Sequence, residues 1–165
     1  MENNQLAPLP FVMTIAGFDP SGGAGIQADL KVFATLGVHG LSALSCTTAQ
    51  VPGTVNNVLP VRSSHLAEQI NLLLETYPVA AVKTGMLYSS ELMETVLDCF
   101  KANRFSAPLI IDPVIRASTG DALLEESGIN AYREKFIAAS ALFTPNLDEA
   151  SLLLDGCHVT VGNLE

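Results

Sequence analysis

The chain has 165 residues, of which 48% are hydrophobic and 15% charged, and its formal net charge is -9. That length suffices for one domain with a sizeable core, and the sparse charge argues against disorder. No basic stripe exists to neutralise phosphates, which speaks against nucleic acid and anionic membranes as partners, and no apolar run approaches membrane-spanning length.

Residues 1–10 lack the basic start and apolar centre of a signal peptide and read as a tail, with 11–165 as one domain. The run 11–17 reads as a buried strand. A glycine-rich turn follows, Gly17-Phe18-Asp19-Pro20-Ser21-Gly22-Gly23-Ala24-Gly25, and leads into a helix over 25–36. Such a turn lets the backbone approach a small ligand, because no Cβ stands in the way, and the helix start adds free N–H groups. Strands over 40–49 and 55–61 come next, the second framed by Pro52-Gly53 and Pro60. Ser63 or Ser64 is placed to cap the following helix, whose Leu66, Ile70, Leu73, Leu74 and Tyr77 share one face. Residues 79–84 read as a strand. Ser89-Ser90-Glu91 then opens a helix with Leu92, Met93, Val96, Leu97 and Phe100 as its apolar stripe. A short strand over 109–112 stops at Pro113. A polar helix over 130–139, a strand over 141–144 and a helix over 147–154 complete the order.

Cys46, Cys99 and Cys157 are far apart and form no Cys-x-x-Cys pair, so neither zinc nor a disulfide framework is expected. A reducing, cytoplasmic setting is expected instead. His39, His65 and His158 are isolated and read as ordinary surface or loop residues.

Strands alternating with helices imply right-handed βαβ units and an α/β fold with a mostly parallel sheet. Ligands of such sheets bind beyond the carboxyl ends of the strands. Asp19, Gln50, Lys83, Asp112 and Asn146 follow the ends of five strands and are expected to converge on one rim. The glycine turn is no Walker A loop, since no Gly-Lys-Ser/Thr follows, and it is a poor dinucleotide fingerprint, since no acidic residue ends the next strand. Local pattern leaves several readings open. Asp29, about one turn into its helix, faces a ligand or water. Gln50 is a surface amide or a partner for a polar ring, because an amide both donates and accepts. Met86 fills the core or packs on a flat ligand. Asn146 and Glu149, three apart, form a capping pair or hold hydrated magnesium beside a nucleotide, and the local pattern favours the cap. Ser118-Thr119-Gly120-Asp121 is similar to the anion-hole signature of sugar kinases, but it follows the Asp112 strand too early and reads as a loop.

Residues 14–31, Thr48-Ala49-Gln50, Lys83-Thr84-Gly85-Met86, Asp112-Pro113-Val114 and Thr144-Pro145-Asn146-Leu147-Asp148-Glu149-Ala150 together carry a resemblance. In order and spacing they resemble the hydroxymethylpyrimidine/phosphomethylpyrimidine kinases of thiamine biosynthesis, within the ribokinase-like superfamily. The resemblance implies a three-layer αβα sandwich with a mostly parallel central sheet, truncated here on its C-terminal side. It implies ATP- and Mg2+-dependent phosphorylation of 4-amino-5-hydroxymethyl-2-methylpyrimidine, and then of its monophosphate. By position, Gly17, Asp29 and Gln50 would hold the aminopyrimidine, and Met86 and Val114 would pack near the ring. Asp112, Asn146 and Glu149 would order Mg2+ and the ATP phosphates, with the metal resting on Asp112 and Glu149 through water. Lys83 falls in a matching segment without an assigned role.

Two departures stand out. Phe18 replaces a residue that is often small or polar in the family, and Ile115-Arg116-Ala117-Ser118 replaces a segment that often carries Met and Lys. The family's last third supplies a Gly-Thr-Gly-Cys anion hole, whose cysteine is usually assigned to catalysis, and much of the adenine site. This sequence contains no Gly-Thr-Gly-Cys, and Cys157 lacks its glycine context, so no catalytic residue is identified. The 165 residues alone are therefore expected to be weak or dead in catalysis. The alternatives are a pyrimidine-binding fragment or pseudokinase, and a pyridoxine or pyridoxal kinase. An unpaired sheet edge with exposed apolar surface is expected, with a homodimer as the outcome.

Overall fold

Two parallel neighbours flank the first strand, β1 (Phe11–Phe18): β2 (His39–Val51) on one side and β4 (Val79–Thr84) on the other. Beyond β4 the sheet continues in parallel through β5 (Leu109–Ile111) and β6 (Leu142–Phe143). The remaining strand, β3 (Thr54–Pro60), folds back antiparallel on β2, giving the order β3-β2-β1-β4-β5-β6. The computed structural model describes residues 8–117, 120, 122–154, 157 and 159–160. Ser118, Thr119, Asp121, His158 and the first seven residues of the tail lie outside the described residues.

Side chains alternate across a strand with period two. Met13, Ile15, Leu41, Ala43, Val82 and Ile111 therefore share one face, and α2 (Ser63–Thr76) and α3 (Ser90–Ala102) close over it with Leu66, Ile70, Met93 and Val96 in a single core. The intervening residue Thr14 points to the opposite face, where α1 (Gly25–Thr35) packs across β1 and β2. That helix has no buried residue, and its end leaves Leu36 70% exposed.

The helix starts refine the expectations. Ser89 accepts from the Leu92 N–H, as its position suggested. Neither Ser63 nor Ser64 caps α2: the helix begins at Ser63, Arg62 holds the cap position, and its backbone carbonyl takes the N–H groups of His65 and Leu66. The chain thus enters one residue earlier than a serine cap requires. The helix expected over 130–139 begins earlier, as α4 (Glu126–Ala131), and passes through a π-helical turn (Tyr132–Phe136) into α5 (Ile137–Ala139). Tyr132 and Phe136 are fully buried with their rings edge to face, 5.6 Å apart.

The last two elements are short. β6 has two residues and ends the strand order among the described residues, with Leu142 54% exposed. α6 (Leu147–Leu153) follows, and Leu147 and Leu154 at its ends are exposed. No described helix is long and apolar enough to cross a membrane.

Candidate active site

The glycine turn is held from inside. Asp19 sits just past β1, 3% exposed, and its carboxylate accepts from the Ser21 hydroxyl and from the N–H groups of Ser21, Gly23 and Ala24 at 2.8–3.1 Å. Burial pushes this carboxyl up, but the donors from Ser21, Ala24 and Gly23 outweigh burial and hold it below its ordinary value. The N–H groups of Ser21, Gly23 and Ala24 are thus spent on the turn's own carboxylate, and the turn is a stiff wall. Gly25 has φ +61°, and a Cβ there would run into the Gly17 carbonyl, so only glycine closes the turn this tightly.

Behind the wall, Asp29 reaches from α1 to the sheet. Its Oδ2 accepts from the Thr14 hydroxyl at 2.6 Å, and Lys83 Nζ donates to Oδ1 and Oδ2 at 3.0 and 3.1 Å. Lys83 also stands 3.3 Å from Asp112 Oδ2, just beyond β5. The floor is made by Gly17: a Cβ there would lie 2.9 Å from Cys46 Sγ and 3.5 Å from Met86 Sδ. At the β2 end, the Thr48 hydroxyl is 3.0 Å from the Phe18 carbonyl and 3.2 Å from Gln50 Oε1, and it can donate to either.

These groups enclose a cavity of about 260 Å³. Gly17, Asp29, Gln50, Met86 and Val114, the five residues expected to hold a ring, all line it, as do Asp19, Lys83 and Asp112. Phe18 lines it too, so the departure at that position does bear on the ring side. Apolar walls with a few convergent polar groups suit a small flat ligand.

Asn146 and Glu149 lie elsewhere. They line a neighbouring cavity of about 320 Å³ together with Arg116, Gly120 and Asp148. Four of the five strand-end residues therefore share one cavity, and Asn146 borders the next. The capping reading of this pair is the observed one: Asn146 Oδ1 takes the Glu149 N–H, and Glu149 Oε2 takes the Asn146 N–H, each at 2.9 Å. Burial pushes the Glu149 carboxyl up, against the N–H donors of Asn146 and Ile115 and reinforced by Asp112 and Asp148. Close by, the buried Tyr132 hydroxyl has no hydrogen-bond partner among the described residues, and burial together with Asp112 and Glu149 pushes it well above its ordinary value. Among the described residues no three His, Cys, Asp or Glu side chains form a set that could hold a metal ion. A cation here would rest on Asp112, whose side chain is 39% exposed, and mostly on water.

The phosphomethylpyrimidine kinase family model matches residues 19–164. The chain belongs to this family. It is 42% identical over 146 residues to the hydroxymethylpyrimidine/phosphomethylpyrimidine kinase of Mycobacterium tuberculosis, covering 88% of this chain and 53% of that protein. The crystal structure of phosphomethylpyrimidine kinase from Clostridium difficile superposes with a TM-score of 0.84 at 33% identity, covering 93% of this chain and 66% of that one. An ADP complex of Bacillus subtilis pyridoxal kinase gives 0.81 at 33% identity, covering 93% and 57%. The chain thus spans about half the length of the mycobacterial relative. The ribokinase-like α/β fold expected from the sequence is borne out by these likenesses.

Thr14 and Cys46 escaped the sequence reading, and Lys83 was placed on the rim without a role. Thr14 is the one hydroxyl in an otherwise apolar strand, and that isolation is a usable signal. Cys46 reads as core filler and does pack as such, yet it also backs the floor of the cavity. The role of Lys83 depends on which side chains meet across the sheet, which no local pattern reports.

Proposed function

We propose that this chain forms the ring-binding part of a hydroxymethylpyrimidine/phosphomethylpyrimidine kinase of thiamine biosynthesis. Its ligand is 4-amino-5-hydroxymethyl-2-methylpyrimidine. The observation that carries this reading is the convergence of Gly17, Asp29, Gln50, Met86 and Val114 on one cavity of about 260 Å³. Asp29 and Gln50 meet the polar edge of the ring, Gly17 lets it approach the backbone, and Met86 and Val114 pack on it. Asp112 belongs to the side where the hydroxymethyl group reacts. Bound Mg2+·ATP supplies the phosphoryl group and neutralises its charge. Asp112 is open enough to hold that metal through water, whereas Glu149, engaged in the cap, contributes only at a distance. Asn146 and Arg116 border the phosphate side.

The 165 residues alone turn over weakly or not at all, since the sequence holds no Gly-Thr-Gly-Cys segment for the transferring charge. The exposed Leu142, Leu147 and Leu154 at the β6 end support self-association as a homodimer, which light scattering measures directly. A second reading, a pyridoxine or pyridoxal kinase, stands beside it because the identity to structures of the two kinds of kinase is equal, at 33%.

Titration calorimetry with the pyrimidine, and separately with Mg2+·ATP, tests the proposal. Pyrimidine binding without nucleotide binding supports it. Failure to bind the pyrimidine overturns it, and displacement of the pyrimidine by lower concentrations of pyridoxal favours the second reading. Detectable steady-state turnover would refute the weak-catalysis part alone.

A further inference from the structure

Thr14 and Lys83 are register partners on the parallel strands β1 and β4, so their side chains rise next to each other from the α1 face of the sheet. Asp29 descends from α1 onto both donors. One oxygen takes Thr14 and Lys83, and the other takes Lys83. Donors on both oxygens fix the rotation of a carboxylate as well as its place. An ionised carboxylate has roughly four acceptor sites, so capacity remains on the cavity side. The same ammonium reaches Asp112 Oδ2, which comes from a different strand end. Two carboxylates on one small cavity repel, and a shared cation between them removes that tendency to swing apart.

The surroundings argue for a built arrangement. The side chains of Lys83 and Asp29 are 25% and 17% exposed, so water screens the pair far less than a surface ion pair. Gly85 leaves the room it needs: a Cβ there would lie 3.3 Å from Lys83 Nζ and 3.1 Å from the Ala16 side chain. All three charged groups line the cavity proposed for the ring.

We propose that Lys83 is a positioning residue for ring recognition: bridging Asp29 and Asp112, it turns the Asp29 carboxylate to receive the amino group of the aminopyrimidine. This rests on the pyrimidine reading above. The competing role is a structural tie between α1 and β4, which would affect every ligand of the cavity alike.

Calorimetry on the full chain separates the two with a pair of ligands, the aminopyrimidine and its analogue lacking the 4-amino group. In the unsubstituted chain the amino compound binds tighter by on the order of tenfold. In Lys83→Met that ratio falls below about twofold, because Asp29 no longer faces the amino group. Lys83→Gln, shorter and uncharged, gives the same collapse and replaces Lys83→Met should the latter not fold. Lys83→Arg, charged and able to donate, restores part of the ratio. A folded Met or Gln variant that keeps the original ratio, with both ligands weakened alike, reduces Lys83 to a tie and overturns the proposal. Should the unsubstituted chain bind neither ring, the pyrimidine reading itself fails, and a crystal structure of Lys83→Met decides the positioning role. There Asp29 is expected to leave Thr14 and turn from the cavity, and an Asp29 that stays in place overturns the proposal.

Discussion

The cavity proposed for the ring and its neighbour occupy the same rim of one sheet, yet they are supported differently. The ring cavity draws on the central strands β1, β2 and β4, whose long register fixes where each side chain stands, and nearly every polar group in it is held by another: Asp29 by Thr14 and Lys83, Asp112 by Lys83, Asp19 by its own turn. The neighbouring cavity is lined by the loop after β5, with Arg116 and Gly120, and by the seven-residue helix α6, and its main polar pair, Asn146 and Glu149, is spent on capping that helix. A site built on central strands is preorganised by the sheet itself. One built at an edge takes its geometry from local capping.

Four substitutions, one of them with a second-site partner, can break or sharpen this contrast. Gly25→Ala has the largest expected effect. It forces a Cβ into the Gly17 carbonyl at φ +61° and is expected to cost about 3 kcal/mol in denaturant unfolding, with loss of ring binding. Gly17→Ala closes the floor against Cys46 and is expected to weaken the pyrimidine roughly tenfold by calorimetry. Cys46→Ala in the same chain should recover most of that loss, and no recovery would remove Cys46 from the floor.

Asp19→Asn tests the turn by pH. The Asp19 carboxyl titrates below its ordinary 3.8, so its stabilisation is present above that value and is lost as pH falls through the lowered one. The variant is expected to be about 1–2 kcal/mol less stable at neutral pH, and the gap to the parent should close in acid. A gap that persists in strong acid would show that something other than the charge is at work. Asn146→Ala should have the smallest effect, about 1 kcal/mol, read as faster hydrogen exchange of the α6 amides with the central strands unchanged.

Much of the cavity's lining was legible because its information is local. The glycine turn, the strand ends at Gln50 and Asp112, and the Met86 position each follow from an apolar run meeting a polar or glycine residue. The Asn146/Glu149 cap was legible for the same reason, as a three-residue spacing at a helix start. Illegible were the facts that depend on register. Thr14 and Lys83 are 69 residues apart and meet only because β1 and β4 pair in parallel at that step. The inward use of the turn's N–H groups was hidden as well. Sequence locates Asp19 at the turn, but only geometry tells whether its carboxylate faces a ligand or the turn's own backbone.

The approach of Gly25 to the Gly17 carbonyl has a consequence for heritable variation. The two positions are eight residues apart, and one belongs to a turn while the other is the floor of a binding cavity. A larger residue at 25 would push the backbone at 17, and any backbone drift at 17 would unseat the turn. Neither can be explored by single steps, so the cavity floor and the turn are inherited as one unit. Change in ligand preference is left to positions such as Phe18 and Val114, which line the cavity outside that tight approach.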